Sequence, residues 1–159
     1  MQRHHFLLLA LAAITTLFTA CGKDNDQPGT GEYLLVAPNT TSMLSDFRIT
    51  VYKISAEGSY RATMDQGSSF EGKDLDFTPL TAAQHDSLKN FLFTLPVDSL
   101  EASNVKVFGC PGCADGPAWL LGYKAPGEAL REWHIDYGAV PAYLQSYLEA
   151  LYRVTRTME

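Results

Sequence analysis

No stretch of this sequence is long and apolar enough to cross a bilayer. Its most apolar run, residues 6–20, has fifteen uncharged residues, and a spanning helix needs about 20. Basic charge is also scarce. Twelve Lys and Arg stand against 18 Asp and Glu. An acidic chain has no electrostatic reason to hold nucleic acid or an anionic lipid surface, so no nucleic-acid partner is expected. Histidine is rare. Of four, His4 and His5 fall at the start, and His85 and His134 remain, neither at ligand spacing. No metal site and no cofactor are expected. A nucleophile elbow, a phosphate loop and a metalloprotease helix are all missing, so no catalytic residue is assigned. What the chain does have is a globular composition. It is 46% hydrophobic and 19% charged, which argues for a packed core over disorder.

The apolar run follows Arg3-His4-His5 and precedes Cys21-Gly22-Lys23-Asp24-Asn25-Asp26. A basic start, a short apolar core and a small-residue end make a secretory signal peptide over residues 1–20. Phe18-Thr19-Ala20-Cys21 resembles the lipobox of bacterial lipoprotein precursors. Ala20 and Cys21 fit that motif, Thr19 is acceptable, and Phe18 stands where the family usually has leucine. The resemblance implies lipidation of Cys21, cleavage just before it, and a membrane partner held through the acyl chains. It implies an address in the cell envelope, at the outer membrane, and nothing about the folded part. Ordinary cleavage after Ala20 is the competing reading, and Phe18 fits it worse. Residues 21–32, the lipidated cysteine and a polar stretch, read as a flexible tether. The acidic residues soon after Cys21 resemble a surface-export signal of some envelope lipoproteins; a solvated linker would need the same charge for solubility.

Two further cysteines, Cys110 and Cys113, flank Pro111-Gly112. Pro then Gly is the pattern of a type II turn, which brings its ends within about 7 Å. In an oxidising compartment this favours a structural disulfide between Cys110 and Cys113. A thioredoxin-type site has the same spacing. It needs a helix to start at the first cysteine, and here Ala114-Asp115-Gly116-Pro117 follow. Haem attachment needs histidine after the second cysteine, where Ala114 stands.

Residues 33–159 read as one α+β domain. A short apolar run, residues 33–37, stopped by Pro38-Asn39, reads as a strand. Phe47, Ile49 and Val51 alternate with Arg48, Thr50 and Tyr52, and Tyr60, Ala62 and Met64 with Arg61, Thr63 and Asp65, which predicts a hairpin. A polar connection follows, with a short extended piece at Leu75-Asp76-Phe77. Thr81 with Gln84 forms a capping box for a helix carrying Leu88, Phe91, Leu92 and Leu95, ended by Pro96. The order then repeats. Trp119, Leu121 and Tyr123 alternate, Pro126-Gly127 turns the chain, Trp133, Ile135 and Tyr137 share a face, and Pro141 opens a helix with the stripe Leu144, Tyr147, Leu148, Leu151, Val154. Tyr52-Lys53, Arg61 and Asp65 match Tyr123-Lys124, Arg131 and Asp136 at offsets of about 70. Two strand-strand-helix units joined edge to edge predict an antiparallel sheet of four to five strands with two helices packed on one face. This looks like tandem topologies such as the β-lactamase-inhibitor-protein and PepSY-type folds, a likeness of topology alone.

Two clusters carry chemical potential. His134 with Glu132 and Asp136 forms a row that reads first as the wet face of a sheet and second as an acid–base set. Trp119, Tyr123, Trp133 and Tyr137 read first as core and second as an aromatic patch for a protein or glycan partner. Asp74 and Asp76 lack the oxygen-rich loop that calcium wants. The function expected is a membrane-anchored envelope lipoprotein with a small non-catalytic binding or scaffolding domain. The alternatives are a thiol–disulfide oxidoreductase using Cys110 and Cys113, and an inhibitor or accessory subunit of an envelope enzyme.

Overall fold

The computed structural model of the chain describes residues 31–38, 48–65, 69–111 and 117–158. The signal segment, the lipobox with Cys21, most of the tether and Cys113 lie outside the described residues.

Among the described residues, seven strands build one sheet. They are β1 (Tyr33–Ala37), β2 (Arg48–Ser55), β3 (Ser59–Asp65), β4 (Thr78–Pro79), β5 (Val107–Phe108), β6 (Ala118–Lys124) and β7 (Arg131–Asp136), in the order β4-β3-β2-β1-β6-β7-β5. The described residues also form three α-helices: α1 (Ala82–Thr94), α2 (Val97–Ala102) and α3 (Ala142–Arg156). The α+β class expected from the pattern holds. The finer expectation does not. The described residues form seven strands and not four to five, β5 runs parallel to β7, and α2 is a third helix. The additions are β4 and β5, each two residues long; β1, the strand expected over residues 33–37, joins the sheet between the two hairpins.

The two hairpins therefore do not meet edge to edge. β1 lies antiparallel to β2 on one side and to β6 on the other, with Leu34 opposite both Ile54 and Tyr123. The repeat is nonetheless real in the register. Tyr52 faces Arg61 across the first hairpin, and Tyr123 faces Arg131 across the second.

The helices lie where the sequence puts them and are tied by side chains. Thr81 caps α1 by accepting from the Gln84 amide, while the Gln84 carboxamide accepts from the Thr81 amide at 3.0 Å. Pro141 is the extended cap of α3, so that helix starts one residue later than expected. The Tyr147 hydroxyl donates to the Phe91 carbonyl at 2.8 Å, joining α3 to α1. The Tyr52 hydroxyl donates to the Thr155 carbonyl, joining α3 to the sheet.

Both faces of the sheet are covered. On one face Leu88, Leu92, Leu100, Leu144, Leu148 and Leu151 of the helices meet Leu34, Val36, Tyr52, Ile54, Leu121, Trp133 and Ile135. On the other, Phe70, Leu75 and Phe77 lie over Leu35, Ile49, Val51, Met64 and Leu120. The alternation of Ile49 and Val51 was legible, but these residues turn away from the helices, and Tyr52 on the expected outer face is fully buried. Gly122 shows how closely the second layer sits. A Cβ there would stand 2.9 Å from the Phe70 ring, so this strand position admits only glycine without displacing the cover.

Candidate functional site: an aromatic pocket between the sheet end and the last helix

Trp119 stands near the start of β6. Past the end of β7 the ladder runs one step further, because the Tyr137 amide donates to the Pro117 carbonyl. Asp136 then accepts from the Gly138 amide at 2.8 Å and bends the chain into a 3-10 turn, Tyr137–Ala139. Val140 and Pro141 lead straight into α3. This short return sets α3 across the strand ends and leaves an open pocket of about 500 Å³ lined by Trp119, Tyr137, Val140, Leu148, Glu149 and Tyr152, with Gly138 and Gln145 at its edge. Such a volume lies within the range of about 300–1,000 Å³ typical of small-molecule sites.

Three rings shape it. Trp119 and Tyr137 stack with centroids 5.4 Å apart. Tyr152 stands nearly perpendicular to both, at 6.1 and 6.3 Å. Trp119 is 3% exposed and lies deepest, whereas Tyr152 is 38% exposed. The polar side is made by α3, where Gln145 Nε2 donates to Glu149 Oε1 at 3.2 Å. Glu149 enters no ion pair among the described residues. The arrangement offers ring surface and acceptor oxygens, which is binding chemistry.

Of the four aromatic residues singled out in the sequence, two meet here. Trp133 is fully buried, with the Lys106 amine 4.7 Å from its ring centre. Tyr123 belongs to the opposite strand end. Its hydroxyl donates to Glu32, and that bond, with burial, pushes its pKa up to about 12. Arg131 lies over the Tyr123 ring and pairs with Glu101 and Glu128. Tyr152 and Glu149 were missed. The available signal was a second helical stripe, Gln145, Leu148, Glu149, Tyr152, beside the core stripe of α3.

The His134 row is not a wet face. Glu132 accepts from the Phe70 amide at 2.8 Å and from the Ser69 hydroxyl at 2.7 Å, pinning the covering segment to β7. His134 is half-buried, and burial pushes its pKa down despite Glu132. Asp136 is spent on the turn. Asp74 and Asp76 are both exposed, and no metal-holding group of three or more His, Cys, Asp or Glu occurs among the described residues.

Ser59 Oγ and His85 Nδ1 lie 3.0 Å apart, the spacing of a nucleophile and its base. Ser59 is 2% exposed, however, and the contact ties α1 to β3. Cys110 is exposed and disulfide-bonded; the other end of that bond lies outside the described residues, as does Cys113. Cys110 follows Gly109, whose φ of +75° and whose approach to Asp136 and Ala139 both exclude a side chain.

Comparison with protein-family models, curated proteins and solved structures found no match to this chain.

Proposed function

We propose that this chain is an envelope lipoprotein, anchored through Cys21, whose domain holds a small ligand or a partner's side chain in the pocket between β6, β7 and α3 and performs no reaction on it. The observation that carries the reading is the pocket itself, walled by Trp119, Tyr137 and Tyr152 and edged by Gln145 and Glu149. The pairing of sequence and geometry supports it. The tether enters the fold at Glu32 and Tyr33, beside Lys124 at the end of β6, whereas Trp119 lies near the start of β6. Five steps along β6, at about 3.3 Å each, separate Lys124 from Trp119. An anchored domain would thus carry its pocket at the end away from the tether's entry. No helix among the described residues is long and apolar enough to cross a membrane, so in this reading the lipid carries the attachment.

The test has two parts. Mass spectrometry of the mature N-terminus should find three acyl chains on Cys21; an unmodified Cys21 or a terminus elsewhere would sink the anchor. A gentle pull-down of the lipidated protein from its own membranes, repeated with Tyr152→Ala, should recover a bound molecule or protein only with the native pocket. Equal recovery by both would remove the pocket from the function.

A further inference from the structure

The pocket's chemistry is one-sided. Among the described residues, Glu149 is the only charged side chain in its lining, and no Lys or Arg lines it. One Glu149 oxygen takes the Gln145 amide, and the carboxylate has no cationic partner among the described residues. The Gly138 amide, the backbone donor nearest the edge, is already given to Asp136. An anion would find no counter-charge among the described residues of the lining. A ligand bearing positive charge would find a carboxylate on one side and rings on two sides at about right angles. Ring faces attract cations within about 6 Å of their centres, more strongly when water is excluded. The chain as a whole is acidic, with formal net charge −6, which draws cations toward any such opening.

Building on the binding role above, we propose that the pocket takes a small organic cation, an amine bearing methyl or other alkyl groups, with its charged head in the corner that the Tyr137 and Tyr152 rings form, beside the Glu149 carboxylate. The alkyl groups would lie on Val140 and the tyrosine rings, over the small exposed parts of Trp119 and Leu148, where a bare ammonium or a metal ion would leave apolar surface unfilled. Selectivity follows from this division. Charge is read by Glu149 and the rings, and bulk by the apolar floor.

The test uses the domain with its tether, choline as the cationic probe, and 3,3-dimethyl-1-butanol as a neutral probe of the same shape. Binding is followed by calorimetry and by NMR shifts at Gly138 and the Trp119 indole. Choline should bind saturably, and the neutral probe at least tenfold more weakly. Glu149→Gln and Tyr152→Leu should each weaken choline fivefold or more while the melting temperature stays unchanged, since both residues are exposed. Equal affinity for the two probes, or an unaltered affinity in Glu149→Gln, would overturn the proposal. A methyl glycoside or a captured protein that shifts Gly138 and Trp119 while choline does not would overturn the cation and leave the binding role intact. Choline shifts confined to another surface would overturn both.

Discussion

Lys53 sits on the covered face of β2, 5% exposed, with its amine 4.3 Å from the centre of the Tyr33 ring and 5.9 Å from that of Phe77. Burial pulls its pKa down to about 8 from 10.5. The sign of the consequence is fixed. Below pH 8 both folded and unfolded chains hold the proton, and the folded state bears the full cost of burying charge. Between about 8 and 10.5 the unfolded chain keeps the proton while the folded one releases it, so stability rises with pH. Tyr33, Tyr123 and Tyr147, whose pKa values are raised, act oppositely above about pH 10, where the unfolded chain ionises first. Urea denaturation at neutral pH and at about 9.5 should therefore show a gain for the native protein. Lys53→Met should be more stable than the native protein at neutral pH and should lack that gain. Identical pH dependence in the two proteins would mean the amine keeps its water.

Among the elements, Leu92 of α1 and Leu148 of α3 are 3% and 2% exposed, as the helical stripes require. Truncating either to alanine should cost about 2–5 kcal/mol in chemical denaturation. Those stripes, the capping box at Thr81, the hairpins and the strand at Tyr33 were legible because each repeats a period or a cap over several residues. β4 and β5 were not, since two residues have no period. α2, six residues starting directly after Pro96, is too short to show a stripe. The second layer was hidden for another reason. Residues 69–77 are mostly polar, and their three apolar side chains contact the sheet from an irregular segment. Half the pocket was visible as Trp119 on β6 and Tyr137 just past β7, and the other half came from the stripe Gln145, Leu148, Glu149 and Tyr152, whose mix of polar and apolar side chains does not stand out from an ordinary solvated helix face. The second layer gives its own prediction. Gly122→Val should push Phe70 off the sheet, speeding amide exchange across residues 69–77 before it affects α1 and α3. Uniform exchange throughout would mean the layer and the sheet unfold together.

At the scale of the whole molecule, the tether and the domain should part cleanly. Mild proteolysis should cut between Cys21 and Gly31 and leave a soluble domain that starts near Glu32, which is held by Tyr123. First cuts inside residues 82–94 or 142–156 would contradict that boundary. The place of β1 has a further consequence, which is mechanical. If the chain is anchored at Cys21, any pull on a ligand or partner seated against α3 is balanced by the membrane, and tension enters the domain at Tyr33. It runs lengthwise along β1, whose neighbours β2 and β6 are both hydrogen-bonded to it in antiparallel register. The two ladders would then bear the load in shear, all their bonds at once, and would not open one bond at a time. A strand at the sheet's edge would have only one ladder to bear the same pull. Force spectroscopy between residue 32 and a handle at Ser146 should thus meet a higher rupture force than pulling between β4 and β5 across the sheet.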